Sequence, residues 1–229
     1  MFKFKKSIAL LLSATMLTSI APAAFAQNVT AYENNLQVLK DSSDERIVTV
    51  DDVTAIYNKS TNMVTIIDSN QTYSFSLDPI SEPSLLSNRV VKKESVALHA
   101  YEYVKTDSGD YYWGVDIPSY SINPNNWCGW ISVWDDGSKA GNYGSEFADY
   151  IDAAQDDEHL LTVYGGASLV ALTVGLITKN PVWSESAFKA ACAAVGIVVS
   201  AGILDAASSY YNNLDNAREN YFAIKRLIG

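Results

Sequence analysis

The chain has 229 residues, 48% of them hydrophobic, and its 16 basic and 26 acidic side chains give a formal net charge of −10. Such a surface repels phosphate backbones, which excludes nucleic acid as the expected partner. Two cysteines do not make a disulfide framework, and the two histidines lack metal-ligand spacing, so no metal or other cofactor is expected.

The first element is "MFKFKKSIALLLSATMLTSIAPAAFAQN". Three lysines precede an apolar run from Ile8 to Ile20, and Ala24, Phe25 and Ala26 close it as a small-x-small triplet. This pattern predicts a secretory signal peptide over residues 1–26, and hence a secreted, extracellular protein. Loss of Lys3, Lys5 and Lys6 with that segment takes the formal charge from −10 to −13. Residues 27–45 are polar without a sustained period, and they read as an arm or pro-segment with little fixed structure.

From Arg46 the signal changes to short runs rich in Val, Ile, Thr and Tyr, "RIVTV", "TAIYN", "MVTII" and "YSFSL". Clusters at Asn58 to Asn62 and Asp68 to Asn70 separate them, predicting an antiparallel β-meander. After a loop with Pro79 and Pro83, "YEYVKTDSGDYYWGV" predicts a hairpin of two aromatic strands turning at "TDSGD". The β-rich module is placed at 46–134. Its second half holds nine Tyr and Trp residues within positions 101–134. Tyr101, Tyr103, Tyr111 and Trp113 would form a stacking face for a glycan or a membrane interface, or they pack across strand pairs as core.

A linker at 135–144, "DDGSKAGNYG", leads to a helical module at 145–229. "SEFADYIDAAQDDEHLL" places Phe147, Tyr150, Ile151, Ala154 and Leu161 on one face, with Asp149, Asp152, Asp156 and Asp157 mostly on the other. The acidic face, with Glu158, reads as solvated, since its carboxylates lie along a helix and not on a wrapping loop. Next comes "LLTVYGGASLVALTVGLIT" at 160–178, nineteen residues without a charge. A straight helix of that length is about 28 Å long against roughly 30 Å of hydrocarbon. Its Thr, Gly and Ser content makes insertion marginal, and Gly165 with Gly166 predicts a joint.

The second apolar segment, Ala187 to Leu204, follows "TKNPVWSES", where Pro181 breaks the chain and Ser184 suits a helix start. The two segments are expected to form a central apolar helical hairpin over 160–204, with Gly165, Gly166 and Pro181 as hinge. Ala167, Ala171 and Gly175 in one arm, and Cys192, Gly196 and Ser200 in the other, recur every fourth residue and would let the arms approach closely. The last segment carries Ala207, Tyr211, Leu214, Ala217, Tyr221, Ile224 and Ile228 on one stripe, an amphipathic helix able to cover the hairpin. The fold class expected is α+β, an antiparallel β-meander followed by a helical module.

This layout of polar arm, "YEYVKTDSGDYYWGV" hairpin, acidic "SEFADYIDAAQ" helix, small-residue apolar hairpin and amphipathic tail resembles the large, heat-labile secreted bacteriocins of the geobacillin twenty-six kind. The resemblance implies a non-enzymatic antibacterial protein acting on related cells, with no catalytic residues to carry over. Its partner would be target-cell membrane lipid or a surface receptor, with a self-oligomer forming on the membrane.

Enzyme motifs are sparse. "GGASLV" departs from the nucleophile elbow at Val170, and Cys128 with His159 lacks the flanking pattern of papain-like peptidases. In an exported protein Cys128 and Cys192 either form a disulfide, or Cys192 stays a buried thiol. No catalytic residue is expected. The leading function is a membrane-active, bacteriocin-like toxin; the alternative is a non-catalytic binding module that presents the aromatic face to cell-wall or surface glycan.

Overall fold

A computed structural model describes residues 35–69, 71–78, 92–96, 101–106, 112–117, 129–180 and 182–228. The expected signal segment at 1–26, Pro181, Cys128 and Tyr111 lie outside the described residues. The architecture is α+β, antiparallel strands followed by helices, as the pattern predicts, but the strands divide between two meanders where one β-rich module was expected.

The first sheet takes its strands in chain order: β1 (Leu36–Asp41), β2 (Glu45–Val50), β3 (Val53–Asn58), β4 (Met63–Asp68) and β5 (Gln71–Ser76). Alternation sends Val48, Val50, Val53, Ala55, Val64, Ile66 and Phe75 into the core, while Thr49, Thr54, Thr65 and Ser74 stay on the outer face. The turn between β3 and β4 has the predicted chemistry. The Asn58 Oδ1 accepts from the backbone N–H groups of Ser60 and Thr61 at 3.1 Å each, and Asn62 takes a left-handed φ of 52°.

Strand β1 corrects the expected arm at 27–45. It pairs with β2 from Leu36↔Val50 to Asp41↔Arg46 through an irregularity between Val38 and Lys40. Its side chains are almost all exposed, so ladder hydrogen bonds and not burial hold it. A strand of that kind leaves no periodic apolar signal.

The second sheet runs β6 (Lys92–Val96), β7 (Tyr101–Thr106), β8 (Tyr112–Asp116) and β9 (Ile131–Trp134), again in chain order. Pairing from Thr106↔Tyr112 to Glu102↔Asp116 makes β7 and β8 the predicted hairpin.

Three helices follow among the described residues: α1 (Lys139–Lys179), α2 (Glu185–Val195) and α3 (Ala201–Ile228). Helix α1 begins inside the expected linker, with the Ser138 side chain accepting from Gly141 N at 3.1 Å as its N-cap. The glycines that read as linker serve close packing instead. A Cβ at Gly141 would collide with the Trp134 carbonyl oxygen, and one at Gly144 would lie 2.9 Å from the Trp113 side chain.

The second apolar segment is not one helix. Gly196 adopts φ 93°, the Ile197 N–H reaches the Cys192 carbonyl at 2.8 Å, and the Gly196 N–H reaches that of Ala193 at 3.2 Å. This closing pair of bonds is a Schellman stop. Ser200 then accepts from Ile203 N at 3.3 Å and opens α3. The hairpin expected over 160–204 is corrected accordingly. Helix α2 lies on β2, β3 and β4, and the antiparallel partner of α1 is α3. Asp157 accepts from Asn213 Nδ2 at 2.9 Å, and Tyr164 lies over Gly202.

Candidate functional site

The site is the jointed apolar helix and the surface around its joint. Within α1 only Gly166 leaves helical geometry, at φ 69° and ψ −170°. That combination is essentially closed to residues with a Cβ. It divides α1 into residues 139–165, tied to α3 through Asp157 and Tyr164, and residues 167–179. The joint predicted at Gly165 and Gly166 is therefore present, with the break at Gly166 itself.

The arm 167–179 is about 20 Å long at the α-helical rise. From Leu169 to Ile177 every residue is buried, so the arm is core on more than one face. Gly175 presses its backbone onto β5: a Cβ built there would lie 2.6 Å from both Cγ and Cε2 of Phe75. Three threonines in the uncharged run close their hydroxyls onto their own helix. Thr162 bonds the Glu158 carbonyl at 2.9 Å, Thr173 that of Leu169 at 2.8 Å, and Thr178 that of Val174 at 2.9 Å.

Two arms of small residues facing each other were expected, and the structure does not assemble them. Ala171 and Gly175 are buried, Gly175 against a strand, while Ala167 is exposed beside the joint. Cys192 is buried in α2, whereas Gly196 and Ser200 are the exposed stop and start of successive helices. The disulfide between Cys128 and Cys192, and the hinge role of Pro181, involve positions outside the described residues.

Of the two readings of the aromatic cluster, packing as core holds for the described residues. Tyr101, Tyr103 and Trp113 are only 1%, 1% and 7% exposed, so they belong to the core and present no open stacking surface. Tyr103 and Trp113 pack with ring centroids 5.9 Å apart, and the Lys105 ammonium sits 4.4 Å from the Trp113 ring centre. The acidic face of α1 is only in part solvated. Asp149 and Asp156 are exposed, but Asp152 accepts from the Tyr103 hydroxyl at 2.7 Å and Asp157 is held by Asn213. These carboxylates tie α1 to the second sheet and to α3. Among the described residues no group of three or more His, Cys, Asp or Glu side chains is placed to hold a metal.

One feature escapes sequence reasoning. Leu160, Val163 and Tyr164, at the end of the first part of α1, are 42%, 67% and 50% exposed, and Val198 in the bend before α3 is 58% exposed. The Tyr164 hydroxyl lies 3.2 Å from where a Cβ of Gly202 would stand, which brings the joint and the start of α3 together. The stretches involved, 160–178 and 190–204, hold no charged residue. Their exposed side chains give the acidic protein an apolar surface patch, the tip, with the Arg46 guanidinium at its edge, 3.7 Å from where a Cβ of Gly196 would stand. Its exposure depends on α2 stopping at Gly196, which periodicity alone does not foretell.

Behind the tip, Tyr210 of α3 is fully buried, and its hydroxyl has no hydrogen-bond partner among the described residues. Burial first, then the negative charges of Glu158 and Asp157, push the phenol well above the usual tyrosine range. By length and composition α1 is apolar enough to cross a membrane, with 56% of its most apolar window buried in the fold. No family model matches the chain, and neither a curated protein nor a solved structure matches it.

Proposed function

We propose that this is a secreted, non-enzymatic, membrane-active antibacterial protein of the bacteriocin type, whose partner is the lipid of a target cell. The observation that carries the reading is the exposed apolar tip of Leu160, Val163, Tyr164 and Val198, three of them on α1 at or within its nineteen-residue uncharged run. Large apolar side chains left exposed around the joint favour a lipid interface over water. The threonine hydroxyls in that run are satisfied by their own helix, which is what hydrocarbon requires of them. The glycan-binding alternative loses support, because three of its four named aromatic residues are buried.

Dye release from liposomes by the purified chain lacking residues 1–26 tests the reading. Release at micromolar protein or below is expected, and Val163→Asp, at an exposed position, is expected to slow it at least tenfold with the fold intact. Vesicles that stay sealed under both conditions sink the proposal.

A further inference from the structure

The fold holds the uncharged run 160–178 in a form that cannot span a bilayer. Residues 160–178 are bent at Gly166, and the arm beyond the joint is about 20 Å long, against roughly 30 Å of hydrocarbon. No loop intervenes. The residues on both sides of Gly166 are helical, so a change in one glycine's φ and ψ converts the two parts into one rod. Glycine occupies the helical region and its present geometry with similar ease, which makes the joint a hinge of low intrinsic cost.

Straightening has a definite structural consequence. It swings residues 167–179 off the first sheet, where Gly175 now lies against Phe75, and brings 160–178 into line over about 28 Å. The three threonine bonds within α1 stay made on both sides of the change, because each joins a hydroxyl to a carbonyl three or four residues back on the same side of Gly166. The contacts given up are those between the arm and the sheet and the neighbouring helices. Water offers nothing to replace them. A lipid phase accepts the same apolar side chains, so it supplies the differential affinity that a two-state element needs.

We infer that α1 is a two-state element hinged at Gly166, in which residues 167–179 leave the first sheet at a lipid surface and rewind into a continuous bilayer-spanning helix. The inference rests on the membrane-active reading and names the part that moves. The tip of Leu160, Val163, Tyr164 and Val198 lies at the hinge, so the first apolar side chains to meet lipid are those next to the residue that must turn.

A disulfide lock tests it. The 2.6 Å between a Cβ at Gly175 and the Cγ of Phe75 keeps the two Cβ atoms no more than about 4.1 Å apart, below the upper end of the roughly 3.5–4.5 Å spacing of disulfides. The double variant Phe75→Cys/Gly175→Cys, oxidised and with the bond confirmed by peptide mapping, is compared with the wild-type chain on dye-loaded liposomes. The locked protein is expected to release dye at least tenfold more slowly, and dithiothreitol to restore the rate in the same sample. The wild-type rate, with dithiothreitol present, serves as the control. Release by the locked chain at the wild-type rate overturns the inference and leaves the membrane reading standing. A wild-type chain that releases no dye overturns both. As an independent arm, Gly166→Ala, which disfavours the bent state, is expected to release dye several-fold faster, and a folded Gly166→Ala chain that is no faster than wild type counts against the hinge.

Discussion

Gly175 of α1 and Phe75 of β5 meet so closely that no side chain fits between the helix backbone and the ring. Gly175→Ala therefore forces the helix or the ring to move, and overpacking of this kind costs about 1–3 kcal/mol. Urea unfolding should show that loss. Adding Phe75→Leu should cost less in the Gly175→Ala background than in the wild type, because the two sites share one space.

Gly166 provides a second stability test. Its φ of 69° with ψ of −170° is open to glycine alone, so Gly166→Ala should destabilise the soluble protein by about 1–3 kcal/mol. Helix propensity works the other way, since alanine favours a continuous helix by up to about 1 kcal/mol. A melting temperature equal to that of wild type would show that the joint is not held in this geometry in solution.

The bond from the Tyr103 hydroxyl to Asp152 at 2.7 Å joins the second sheet to α1. Hydrogen bonds to a charged acceptor contribute about 1.5–3 kcal/mol, so Tyr103→Phe should lower stability by that order. Asp149→Asn, at an exposed position on the same helix, should change it by less than about 0.5 kcal/mol. Parallel denaturation curves for the two variants make the comparison, and equal effects would contradict the separate roles of these carboxylates.

Tyr210 predicts a pH dependence. Its folded value is raised, mainly by burial, while the unfolded chain titrates near pH 10. Below about pH 10 the phenol is neutral in both states and its contribution is fully present. As pH rises above that, the unfolded state loses the proton first, so stability falls. Tyr210→Phe should flatten this alkaline decline. At neutral pH it should leave stability unchanged or raise it by about 1 kcal/mol, because the hydroxyl it removes has no partner among the described residues. A marked loss at neutral pH would reveal a hydrogen bond that the fold does not show.

The periodic elements were legible in the sequence. The meander turning at Asn58 to Asn62, the Tyr-rich hairpin, the Ser184 cap, the joint at Gly166 and the stripe of α3 through Leu214, Ala217 and Tyr221 all follow from local chemistry. Strand β1 was hidden because its order comes from backbone pairing with few buried side chains. Gly141 and Gly144 misled for the opposite reason. They sit in a helix that needs them against Trp134 and Trp113, and such tertiary crowding leaves no local mark. The apolar length of 187–204 masked the stop at Gly196, and with it both the true partner of α1 and the exposed Val198. The aromatic density at 101–113 is shared by binding faces and cores, and only three-dimensional burial tells them apart.

Helix α2 lies across β2, β3 and β4, although more than a hundred residues separate it from those strands. Ser186 of α2 even bonds Asp51 in the turn between β2 and β3, at 2.5 Å. During synthesis the strands therefore emerge long before their cover. Val48, Ala55, Val64 and Ile66 stay without that roof until residue 195 has left the ribosome. Folding must then be completed after translation, and any chain cut short before α2 carries a sticky, half-finished sheet.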